Sequence, residues 1–83
     1  MIKNLFNLTK TELEVLDLMS KGLDNDEISK IRNVSWTTTK SQVLIIYSKL
    51  GVYNENNYKG RGAVLRLKAV LIYLKEKGFL KYE

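Results

Sequence analysis

A chain of 83 residues is one domain at most, and a protein of this size buries only about 60 to 65% of the surface that its unfolded chain exposes. With no Cys and no His, disulfides, thiolate chemistry, the usual zinc ligand and the usual general base are all excluded. The formal net charge of +5 is unevenly placed: residues 1–34 hold five Lys/Arg against six Asp/Glu, residues 35–83 hold nine against three, and the basic half predicts a polyanionic partner.

The predicted elements follow from caps and glycines, because there is no Pro to punctuate the chain. Ile2, Leu5 and Phe6 are expected to form an extra turn over the core. Thr9 with Glu12 reads as a capping box, with Leu8 placed to staple against Leu13, and Gly22 as a left-handed stop. The first helix is therefore predicted over about residues 10–21, burying Leu13, Val15, Leu16 and Met19. Asp24 with Glu27 repeats the box and opens a short second helix, about 25–31, whose Ile28 and Ile31 are expected to be buried. Ser35 offers a third N-cap, and Thr39, Val43, Ile46 and Leu50 carry helical spacing through 36–50 to Gly51. Two helices so closely linked predict a helix-turn-helix. Residues 52–62 are polar, Asn-rich and contain two Gly, which predicts a loop. A fourth helix is expected over about 63–77, ending at Gly78, with Phe79 and Leu80 packing back. The fold class is thus all-α, one domain over residues 1–83 with four helices.

The ordered set of motifs resembles the LuxR-type, GerE-like, helix-turn-helix domain of bacterial regulators. LTKTELEVLDLMSKGLDNDEIS at residues 8–29 is similar to the family's opening pattern, and SWTTTKSQVLIIYSKLGV at 35–52 to its recognition helix. The resemblance implies a transcription regulator of bacterial or phage origin that binds specific double-stranded DNA as a homodimer. It places Lys40, Ser41 and Leu44 on the major-groove face of the third helix, with Thr37, Thr38 and Lys49 near phosphates. Helical geometry agrees: if Thr39, Val43, Ile46 and Leu50 face the core, residues 37, 40, 41, 44 and 48 point away from it. Lys40 would donate to guanine, Ser41 would serve either base type, and Leu44 would touch a thymine methyl.

Thr39 and Gln42 stand where the family usually has Val and His. A buried Thr39 hydroxyl is expected to bond a backbone carbonyl one turn earlier, and Gln42 to support a backbone contact rather than read adenine. Trp36, unusual at the start of a recognition helix, is read as a packing residue. The fourth helix carries more apolar surface than a small core can bury, which implies a partner surface formed by Val64, Leu67, Val70, Leu71 and Leu74. In the family this last helix dimerises, with half-sites about ten base pairs apart. The loop after Gly51 is longer than the family's, and its Lys59 and Arg61 are further phosphate candidates.

Two other readings compete: an interaction module that pairs with another LuxR-type regulator and blocks it, and a domain that contacts RNA polymerase like the promoter-reading part of a sigma factor. Retained Lys40 and Lys49 argue against the first, and the KLGV ending with the apolar fourth helix against the second. No enzyme, cofactor or metal site is expected, since capping accounts for Asp24, Asp26 and Glu27. The apolar stretch near 63–74 is too short to span a bilayer and no signal-peptide core is present, so a cytoplasmic, membrane-free location is expected. The chain has no room for a sensor domain, which would leave regulation to abundance or to a partner.

Overall fold

The computed structural model describes residues 7–52 and 62–78, and these form four helices: α1 (Lys10–Ser20), α2 (Asn25–Arg32), α3 (Trp36–Leu50) and α4 (Gly62–Glu76). The all-α expectation holds for the described residues, with each helix boundary within one residue of its predicted place. Residues 53–61, including Lys59 and Arg61, lie outside the described residues, as do Ile2, Leu5, Phe6, Phe79 and Leu80.

Both capping boxes are formed. Glu12 N–H donates to Thr9 Oγ1 at 3.1 Å while Thr9 N–H donates to Glu12 Oε1 at 2.9 Å. Asp24 and Glu27 repeat the exchange at 2.9 and 2.8 Å. Four otherwise orphaned helix-start donors are satisfied in this way, each box stabilising its helix by about 1 kcal/mol. Gly22 and Gly51 take the positive φ that ends α1 and α3, at 85° and 78°.

Helix α1 presents Glu12, Val15, Leu16 and Met19 inward at helical spacing, and it packs against α3 and α4. Val43, Ile46, Tyr47 and Leu50 meet it from α3, and Leu65, Ala69 and Tyr73 from α4. Helix α2 lies mainly on α3, joined to the core through Ile28. The Tyr73 hydroxyl donates to Asp17 Oδ1 at 2.6 Å and ties α4 to α1. Burial and this Asp17 bond push Tyr73 up to about 12, and the same bond, against the opposing effect of burial, holds Asp17 below its ordinary value, with Lys21 adding to it.

Ile31 corrects the expected core, because it is 60% exposed. At about 100° per residue, Ile28, Ser29 and Arg32 share the face of α2 that meets α3, and Ile31 falls outside it. It instead borders a groove of about 540 Å³ with Leu13 and Leu18 of α1. Leu13 is half-buried rather than fully so.

One ion pair across the fold was not read from the sequence. Lys49 Nζ, near the end of α3, donates to Glu12 Oε1 at 2.8 Å, and the Glu12 side chain is only 11% exposed. Lys49 also reaches the Asn7 carbonyl at 3.4 Å. Burial alone would raise the Glu12 carboxyl, but the hydrogen bonds from Lys49 and from the Thr9 backbone outweigh it and hold Glu12 below its ordinary value. A depressed carboxylate contributes stability that is present at neutral pH and lost as pH falls through its folded value. Lys49→Met is therefore expected to cost about 1 to 2 kcal/mol at neutral pH, discounted from a fully buried pair because the lysine is partly exposed. It should also flatten the acid limb of stability, as read by helix content against pH.

Candidate nucleic-acid interface

The site is built on the turn between α2 and α3. Asn33 ends α2 in the left-handed conformation at φ 58°, and Val34 N–H returns to the Ser29 carbonyl at 3.0 Å. Ser35 is extended and its Oγ accepts from Thr38 N–H at 3.0 Å, which starts α3. No acidic residue stands in the first turn of α3, so the positive end of its dipole is uncompensated there.

A buried hydroxyl pair fixes the angle of the two helices. Ser29 Oγ lies 2.8 Å from Thr39 Oγ1 as its donor and 2.7 Å from the Asn25 carbonyl. The Thr39 hydroxyl thus finds its partner across the turn, on α2, rather than in the carbonyl one turn earlier that was expected. Replacing Ser29 alone by Ala takes away the partner of the buried Thr39 hydroxyl and should cost about 1 kcal/mol, and adding Thr39→Val should restore part of the loss because no buried hydroxyl is then left alone. A double-mutant cycle in urea denaturation measures the coupling.

With Thr39, Val43, Ile46 and Leu50 turned inward, Thr37, Thr38, Lys40 and Ser41 are exposed and Leu44 is half-buried. The expected groove-facing residues therefore share the free side of α3. Ser48 is exposed as expected, and Ile45, which the sequence reading passed over, joins them at 44% exposure. Trp36 is not part of the packed core: the residue is 48% exposed, and the Lys40 ammonium lies over its ring at 5.3 Å from the centroid.

Gln42 faces back toward α2, where Arg32 donates to its Oε1 at 3.2 Å; Arg32 also stands 3.6 Å from Glu14. Lys49 is on the same helix but held by Glu12, so its charge comes to the surface already partly neutralised. Arg66 of α4 bridges to α2, donating to Asn25 Oδ1 at 2.9 Å and to the Leu23 carbonyl. Between α3 and α4 this leaves a cleft of about 280 Å³ bordered by Trp36, Lys40, Leu44, Tyr47 and Ala63.

On α4, Val64, Leu67 and Leu71 are 39%, 58% and 38% exposed and fall on one stripe, with Leu74 and Val70 half-buried at its margins. Among the described residues no cluster of acidic residues could hold a metal ion, and no helix is long and apolar enough to cross a membrane.

The family model described as GerE, bacterial regulatory proteins of the luxR family, matches residues 6–58. That span contains α1, α2, the turn and all of α3. Neither a curated protein nor a solved structure matches the chain.

Proposed function

The chain belongs to the luxR family of bacterial regulatory proteins, and on that premise we propose that it regulates transcription by binding specific sites in double-stranded DNA through the outward face of α3. The observation that carries this reading is the division of α3 itself. One side is locked to the core by Thr39, Val43, Ile46 and Leu50, while the other carries Thr37, Lys40, Ser41, Ile45 and Ser48, all exposed among the described residues. A helix held rigidly with one side free is what entry into a major groove requires.

Each residue then has a role. Thr37 and Thr38, beside the helix start, bond phosphate oxygens. Lys40, kept close to α3 by Trp36, supplies charge toward phosphate or guanine, and Ser41 and Leu44 meet base edges. Lys49 contributes less charge than Lys40, because Glu12 is its partner, and acts chiefly by fixing α3 against α1.

The stripe of Val64, Leu67 and Leu71, with Val70 and Leu74 at its edges, supports a homodimer formed through α4, each copy offering one α3 to one half-site. The same stripe supports a second reading, in which α4 pairs with the corresponding helix of another regulator. Competition of genomic fragments against random DNA at physiological salt tests the main proposal. A few fragments should be retained selectively; loss of all of them to random DNA would leave pairing between regulators as the better account.

A further inference from the structure

The free side of α3 is poor in the groups that read guanine and adenine. From Trp36 to Leu50 there is no Arg and there are two Lys. One of these, Lys49, is paired with Glu12, and the ammonium of the other lies over the Trp36 ring at the margin of the face. Reading adenine in two-bond fashion needs both the oxygen and the nitrogen of an amide, and the Gln42 oxygen is engaged by Arg32. Hydroxyls are present at Thr37, Ser41 and Ser48, but a hydroxyl serves either base type and discriminates little.

What the face does offer is apolar. Ile45 stands on this face, 44% exposed, four residues after Ser41 and three before Ser48, whose short side chains leave room around it. Leu44 lies beside it, half-buried. A single exposed isoleucine is ordinary on a protein surface; this one shares the free face of α3 with Ser41 and Ser48. The apolar feature a duplex shows in its major groove is the C5 methyl of thymine.

We infer that α3 reads thymine methyl groups through Ile45 and Leu44, so that its preferred sites are defined by thymines beneath this helix rather than by guanines. The inference rests on the DNA-binding reading above and goes beyond it by naming the chemical group recognised.

The test selects bound duplexes from a random-sequence pool of double-stranded DNA and remakes each enriched duplex with deoxyuridine for thymidine. Base pairing and phosphate charge are kept, and only the methyl groups are lost. Affinity should fall about fourfold for each methyl that α3 buries. Ile45→Ala, a surface change that leaves the fold intact, should bind the thymine duplex more weakly and discriminate less between the two forms. Equal binding of both forms by the wild type, or full discrimination by Ile45→Ala, would overturn the inference while leaving DNA binding in place. A pool that yields no enriched duplex would remove the DNA-binding reading and the inference together.

Discussion

Ile46→Ala will cost about 3 to 4 kcal/mol of folding stability, whereas Ile45→Ala, one residue earlier, will change stability by less than about 0.5 kcal/mol. The two side chains have the same composition and opposite surroundings. Ile46 is fully buried at the centre of the cluster made by α1, α3 and α4, so its truncation forfeits the burial of three carbons and leaves a cavity that rigid helices cannot close. Ile45 faces solvent and loses nothing comparable. A domain of this length has only about 4 to 12 kcal/mol of net stability, so the first variant will approach unfolding at physiological temperature. Urea denaturation followed by helix content measures both, and an equal loss in the two variants would place the core on the wrong side of α3.

The second large effect concerns α4. Leu67→Glu with Leu71→Glu puts two charges on the exposed stripe, where they cost the monomer little but repel across a symmetric contact. Linking two DNA-reading units multiplies affinity by about 10² to 10⁴ over one unit. The double variant should therefore sediment as a monomer and bind a two-half-site duplex at least about 100-fold more weakly, while its affinity for a single half-site is unchanged. A wild type that sediments as a monomer on DNA and off it would instead leave the stripe for a different partner.

Much of this fold is legible before any coordinates because its signals are local. Thr9 with Glu12 and Asp24 with Glu27 act across three residues, and Gly22 and Gly51 act at one, so the helix starts and stops follow from short windows of sequence. Within the run Leu44, Ile45, Ile46 the spacing from Thr39, Val43 and Leu50 already puts Ile46 inside, but consecutive apolar residues give no local sign that Ile45 is left outside, and packing against α1 and α4 decides that. Ile31 was misplaced for a related reason, since α2 has barely two turns and its inward face is set by contact with α3 rather than by its own periodicity. The Lys49–Glu12 pair joins residues far apart in the chain, and no short window of sequence shows it. That pair also alters how Lys49 must be used in experiments, because its removal lowers stability as well as charge.

The most direct test of α3 as the DNA-reading element is therefore a salt-dependent titration of a selected duplex with wild type and Lys40→Ala, a change at an exposed residue whose ammonium lies over the Trp36 ring. Loss of one phosphate contact should weaken binding and lower the slope of log affinity against log salt by about 1, with the melting temperature unchanged. Identical affinity and identical slope in the two proteins would contradict the account and move the DNA contact, if there is one, away from this helix.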